Sequence, residues 1–141
     1  NGFVNYETYI PAPKLNFPGV AEMLKKYQDR AKAEGVDPFG YYMGTLAYAQ
    51  LQVLGQAIEN TKGLDDKKLA ENIHSASFKT VMGDVRFDKS GEWATSRVLQ
   101  VQFRNIKGNA VDQFKGTDTQ VVIAPSGYAS GELVYPYEKA K

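Results

Sequence analysis

The stretch from Asp37 to Gly63, DPFGYYMGTLAYAQLQVLGQAIENTKG, constrains the fold more than any other part of the chain. It predicts one long helix, because Asp37 can cap its start, Pro38 fits the first helical position, and Gly63 can end it in the left-handed conformation. Apolar residues fill an arc of about 200°, wider than the stripe of a surface helix. The residues of this arc are Tyr42, Met43, Leu46, Ala47, Ala49, Leu51, Val53, Leu54, Ala57 and Ile58. The helix is therefore expected to be covered on two sides.

The arc gives specific expectations about individual positions. Leu54 lies near its middle, so Leu54→Ala is expected to lower the stability by about 2–5 kcal/mol. Gln50 falls inside the arc, where a buried amide needs hydrogen-bond partners. The narrow face that remains is expected to be wet, and its residues are Thr45, Gln52, Gln56 and Glu59.

The charge balance argues against partners that bind by electrostatic attraction. Seventeen basic and sixteen acidic residues give a net charge of +1, with no block of like charge, so neither nucleic acid nor an anionic membrane is an expected partner. The absence of cysteine excludes disulfides and thiolate metal sites but fits both a cytoplasmic and a periplasmic protein. No apolar run approaches the roughly 18 residues of a membrane span. The chain lacks an initial methionine and begins on alternating apolar residues, which suggests a fragment or a processed piece.

Around the central stretch the sequence predicts one strand and two further helices. Phe3 to Ile10 is rich in aromatic and β-branched residues and is followed by two prolines, which favours a strand. Apolar residues recur at helical spacing from Pro18 to Gly35. Asp65 can cap a third helix that runs to about Ser75.

After the helices the sequence changes to short β segments. These are FKTVMGDVRF, SRVLQVQFR and AVDQF, separated by turns at 88–91 and 105–109. The tail from 116 to 141 contains a short apolar run at 121–123 and is expected to be mostly irregular. The order β-α-α-α-β-β-β describes an α/β chain with too little alternation for a complete parallel sheet.

The chain offers no catalytic constellation. His74 is the only histidine, so neither a histidine metal cluster nor a His-based triad can be assembled, and a structural role at a helix end is favoured. Asp65 and Asp66 complement the dipole at a helix start. The alternation from Asp88 to Glu92 lacks the glycine and distal glutamate of a calcium loop, which favours a turn. We expect no enzyme, no metal and no cofactor.

Aromatic density is the feature that suggests a ligand. The chain has nine tyrosines and seven phenylalanines, and Tyr41 and Tyr42 stand at the start of the central helix. Tyrosines there can line a ligand cleft, since each presents a flat apolar face and one hydroxyl. Core packing is the alternative role for both.

Two motifs carry a resemblance to a known family. The central helix contains Gln-Val-Leu at 52–54 and Ala-Ile at 57–58, and residues 78–91 fit the pattern Phe-x-x-Val-x-Gly-x-Val-x-Phe-Asp-x-x-Gly. In this order the motifs resemble the C-terminal third of the periplasmic solute-binding proteins of ABC transporters for branched-chain amino acids and amides. The second motif is the more specific, and the resemblance covers nearly all of the chain.

The resemblance implies a fold and a division of the chain. The family has the two-lobed type I periplasmic binding protein fold, in which three-layer αβα lobes close on a ligand by a hinge motion. Residues 1–36 and 98–115 would be pieces of the second lobe, 37–97 a piece of the first, and 116–141 an irregular tail. Most ligand contacts of the family would lie upstream of residue 1, so Tyr41 and Tyr42 are the only ligand-binding positions that the resemblance transfers. Gln50 departs from the family, which has a small residue there.

The function implied is that of the substrate-binding component of an ABC importer. Such a protein is periplasmic, binds a small amino-acid-like, amide or aromatic-acid solute, and reaches the membrane only through the permease to which it delivers the solute. A ligand-sensing regulatory domain on the same fold is the alternative, and an enzyme fragment with catalytic residues elsewhere is a third class. Since neither sheet would be complete, the isolated chain is expected to self-associate or to belong to a larger molecule.

Overall fold

A computed structural model describes residues 1–95 and 97–141 of the chain. These residues form three α-helices and two small sheets, a mixed α/β arrangement. The helices are α1 (Val20–Glu34), α2 (Tyr41–Thr61) and α3 (Asp66–Ser75). The strands are β1 (Val4–Glu7), β2 (Ser77–Thr80), β3 (Gly83–Arg86), β4 (Leu99–Phe103) and β5 (Gln120–Ala124). None of the helices in the described residues is long and apolar enough to cross a membrane.

Both sheets are antiparallel. The first has the order β1-β4-β5, and Val4 of β1 lies opposite Gln102 of β4. The second is the hairpin of β2 and β3, in which Thr80 lies opposite Gly83. Gly83 has a φ of +89°, and a Cβ there would lie 2.9 Å from the Phe17 ring, so both its backbone and its surroundings require glycine.

Two apolar clusters hold these elements together. The larger one joins the first sheet to α1 and to the start of α2, with Tyr9, Leu15 and Leu99 among its fully buried side chains. The smaller one joins α2, α3 and the hairpin through Val53, Ala57, Leu69, Phe78 and Val85. Since α2 contributes to both clusters, it is the element that connects them.

Helix α2 begins and ends at residues other than the predicted ones. Asp37 does not cap it, because its carboxylate accepts the N–H of Phe39 at 2.8 Å in a local turn, and the helix starts at Tyr41 after Gly40. The left-handed residue at its end is Lys62, with a φ of +55°, one position before the predicted Gly63. The helix itself is confirmed.

The buried face of α2 is not the predicted one. Every fourth residue is buried, namely Tyr41, Thr45, Ala49, Val53 and Ala57. Thr45, expected to be wet, is buried with its hydroxyl donating to the carbonyl of Tyr41 at 2.5 Å. Leu54 is 42% exposed, and Gln50 is exposed and needs no buried partner. The apolar arc is thus covered on one side only within the described residues.

Two glutamines that were expected to face water bind the hairpin instead. The Gln52 carboxamide oxygen accepts the N–H of Val81 at 2.8 Å. The Gln56 carboxamide donates to the carbonyl of Lys79 at 2.9 Å and accepts its N–H at 3.2 Å. These bonds satisfy backbone groups on the free edge of the hairpin and hold this side of α2 against it.

The β segments agree with the sequence only in part. FKTVMGDVRF forms the hairpin, and SRVLQVQFR contains β4, although its first residue, Ser96, lies outside the described residues. The prediction of a strand at AVDQF was wrong, because 111–115 form a 3-10 turn held by Gln113, which donates to the carbonyl of Ala110 at 2.6 Å. The tail was also predicted wrongly at 120–124, which pair with β4 as strand β5. Short 3-10 turns also occur at 13–15 and 137–139.

The covered and uncovered faces differ in how they respond to truncation. We expect Leu99→Ala to lower the free energy of unfolding by about 2–5 kcal/mol, because it leaves a cavity in the core. Leu99 is 0% exposed and Leu54 is 42% exposed, so Leu54→Ala should have a clearly smaller effect. Urea denaturation followed by circular dichroism measures both. Equal losses would show that the outer face of α2 is covered in solution.

Candidate functional site

Tyr41 and Tyr42 lie on different sides of α2. Tyr41 is 4% exposed, its ring packs edge-on against Phe39 with centroids 6.0 Å apart, and its hydroxyl accepts a hydrogen bond from Gln28 at 3.0 Å. The ring of Tyr42 is 50% exposed. Neither side chain borders either of the two cavities described below. Their predicted role in ligand binding remains a prediction.

Tyr9 and Tyr41 are buried tyrosines whose pKa values lie above the usual range. Burial raises the pKa of Tyr9 to about 12. The positive charge of Arg97 opposes this rise, and the neighbouring Tyr41 adds to it. Burial also raises the pKa of Tyr41. The hydrogen bond from Gln28 counteracts this rise, and the negative charge of Asp37 adds to it. Both hydroxyls are therefore neutral at physiological pH. No spacing in the sequence singles out Tyr9 or Arg97, because the two residues are distant along the chain.

The first cavity is a groove of about 550 Å³ between α1 and α2. Its walls are largely apolar and include Met23, Tyr48 and Leu51. Charged residues stand at its rim, and they pair along α1, with Lys26 2.8 Å from Glu22 and Arg30 2.7 Å from Glu34. These exposed ion pairs contribute little to stability. The apolar surface at the bottom of the groove is therefore its main feature.

The second cavity, of about 680 Å³, lies beside the hairpin. Aromatic rings and polar groups share its wall, among them Phe17, Trp93, Tyr128 and the buried Arg97. This cavity differs from the groove in having a buried positive charge at its wall.

The other candidate residues have structural roles. Asp65 caps α3 by accepting the N–H of Lys68 at 3.0 Å, as predicted. Asp88 accepts hydrogen bonds from the hydroxyl and the N–H of Ser90 at 2.6 and 2.8 Å. These bonds lower the pKa of the Asp88 carboxyl, and the bond from the hydroxyl has the larger effect. The turn interpretation of this segment is confirmed. Throughout the part of the chain that the structure describes, no group of three or more His, Cys, Asp or Glu side chains is placed to hold a metal.

Sequence comparison relates the chain to amino-acid-binding proteins. It is 30% identical over 109 residues to Leu/Ile/Val-binding protein homolog 2 of Brucella abortus (strain 2308), a match that covers 77% of this chain and 28% of that protein. It is 33% identical over 64 residues to the leucine-, isoleucine-, valine-, threonine-, and alanine-binding protein of Pseudomonas aeruginosa, covering 45% of this chain and 17% of that protein. No protein-family model matches the chain.

These relatives confirm the resemblance carried by the two motifs. The class is that of solute-binding proteins, and within it the chain is related to the Leu/Ile/Val-binding proteins. The names of the relatives describe binding proteins and not enzymes, which agrees with the prediction that the chain is not an enzyme. The match spans only 28% or less of the length of these relatives.

The buried phenol of Tyr9 predicts a loss of stability in alkali. An unfolded tyrosine ionises near pH 10, whereas Tyr9 in the folded chain has a pKa of about 12. Because the folded state holds this proton more tightly, protonated Tyr9 contributes its full stabilisation below pH 10. This contribution is lost as the pH rises through about 12. Tyrosinate absorbance should show a component near pH 12 that disappears in Tyr9→Phe and persists in the control Tyr135→Phe. Titration of every tyrosine near pH 10 would contradict this prediction.

Proposed function

We propose that the chain is part of the solute-binding component of an ABC importer. This component binds a small amino-acid-like, amide or aromatic-acid solute between two lobes that close by a hinge motion, and it delivers the solute from the periplasm to the permease. The observation that carries the proposal is the motif at 78–91, together with relatives whose names describe Leu/Ile/Val-binding proteins.

The structural role of the motif supports this proposal. Phe78, Val81, Gly83 and Val85 are all buried in the hairpin, and Gly83 occupies a backbone conformation and a close contact that other residues do not tolerate. The motif residues are thus those that build the hairpin and attach it to α2. We therefore take the motif as support for the proposed fold.

The sheet pairings support the proposed division into lobes. Strand β1, from residues 1–36, pairs with β4, from 98–115, whereas α2, α3 and the hairpin share a cluster within 37–97. In our proposal the first group belongs to the second lobe and the second group to the first lobe. The tail is attached to the second lobe through β5.

Tyr41 and Tyr42 remain our proposed ligand-binding residues. The half-exposed ring of Tyr42 can pack against a solute, and the buried Tyr41 can hold the start of α2 in place through its bond to Gln28. Because their side chains diverge, we propose direct contact for Tyr42 and contact through the hydroxyl for Tyr41.

Solute binding is tested on the longest natural protein that carries this sequence. Leucine, isoleucine, valine, amides and aromatic acids are compared by thermal shift, and a solute at 100 times its Kd should add about 2.7 kcal/mol of stability. Tyr42→Ala should weaken binding, while Tyr48→Ala, a similarly exposed tyrosine on the same helix, should not. The proposal fails if no solute stabilises the protein, and the site assignment fails if the two variants behave alike. Binding without uptake by the permease would favour a regulatory domain.

The uncovered apolar face of α2 supports the proposal that the isolated chain associates or belongs to a larger molecule. Leu51 is 68% exposed and lies on the same side as Met43 and Leu54, which are also exposed. Such a face drives association when nothing covers it. Light scattering on the 141-residue chain should give a mass above 15.6 kDa, and Leu51→Glu combined with Leu54→Glu should reduce it. A wild-type monomer would contradict this proposal.

A further inference from the structure

Arg97 is a buried cation enclosed by aromatic rings. Its side chain is 5% exposed, and its guanidinium carbon lies 4.9 Å from the ring centroid of Phe17, 5.3 Å from that of Trp93 and 5.1 Å from that of Tyr128. One guanidinium nitrogen, Nη2, donates to the carbonyl of Met82 at 2.8 Å. The Nε atom is buried without a hydrogen-bond partner.

The charge of Arg97 has no counterion within the described residues. The ion pairs found there are all on exposed side chains, and none includes Arg97. Asp84 borders the same cavity, but it lies more than 4.0 Å from the guanidinium and faces Lys79 across the hairpin. Tyr9 is neutral because of its high pKa. The three rings attract the cation, but they do not replace the acceptors that a buried guanidinium requires.

The cavity beside Arg97 is suited to a small organic anion. Its volume of about 680 Å³ is in the range of small-molecule sites. The rings of Phe17, Trp93 and Tyr128 provide apolar wall, so the cavity combines the buried positive charge of Arg97 with flat apolar surfaces.

We propose that this cavity binds a small aromatic carboxylate. The guanidinium of Arg97 pairs with the carboxylate, for which its planar fork is well matched, and the aromatic wall receives the ring of the ligand. Aromatic acids are among the solutes of the proposed function, but this site contains neither Tyr41 nor Tyr42, so the two assignments can fail separately.

The chain contains its own reporter for this site. Trp93 is the only tryptophan, and it lines the cavity, so its fluorescence responds to a bound ligand without interference from other indoles. Benzoate should change the emission of the 141-residue chain in a saturable way, with a Kd of about 1 mM or tighter. Benzamide, which has nearly the same shape but no charge, should have no such effect. Equal responses to the two compounds, or no saturation with benzoate, would overturn the proposal.

Two variants locate the binding. Arg97→Gln should weaken benzoate at least about tenfold, because the charge-assisted bonds to the carboxylate are lost. Arg86→Gln removes the same charge from an exposed position on β3 and should leave the affinity unchanged. Tyr135→Ala, at an exposed tyrosine that borders neither cavity, should also leave the affinity unchanged. Undiminished binding in Arg97→Gln would refute the assignment, and if this variant does not fold, the comparison of benzoate with benzamide decides.

Discussion

The orientation of α2 depends on two side-chain amides that bind the edge of a hairpin. Gln52 and Gln56 form hydrogen bonds with the backbone of Val81 and Lys79. This contact orients the helix so that its buried row of residues, from Tyr41 to Ala57, faces inward. A helix whose apolar arc spans about 200° has no single orientation preferred by burial alone. Directional hydrogen bonds therefore decide which apolar residues enter the core and which remain outside.

Arg97 has a comparable role among segments that are distant in sequence. Phe17 precedes α1, Trp93 follows the hairpin, and Tyr128 follows β5, yet all three rings meet on one guanidinium. The bond to Met82 attaches the turn of the hairpin to the same group. An unpaired charge at such a junction is costly in the absence of an anion, and for this reason we assign it a ligand and not only a structural role.

Local signals in the sequence predicted local structure well. The apolar spacing of α1 and the Asp65 cap of α3 were confirmed, because each depends on neighbouring residues. The prediction of the inner face of α2 was wrong, because its hydrogen bonds to the hairpin outweigh a pattern that is apolar on two sides. The segment at 111–115 was too short for alternation to distinguish a strand from a turn. Arg97 was missed, since its aromatic partners come from three separate segments and no spacing links them.

The antiparallel pairing of β1 with β4 has a consequence for the order in which the chain can fold. Val4 pairs with Gln102, so β1 leaves the ribosome well before its partner strand exists. Helices α2 and α3 and the hairpin, by contrast, form contacts between residues close in sequence. Closing long loops is slower than forming local contacts. Within these 141 residues, the part centred on the hairpin can therefore become compact before the β1-β4-β5 sheet is completed.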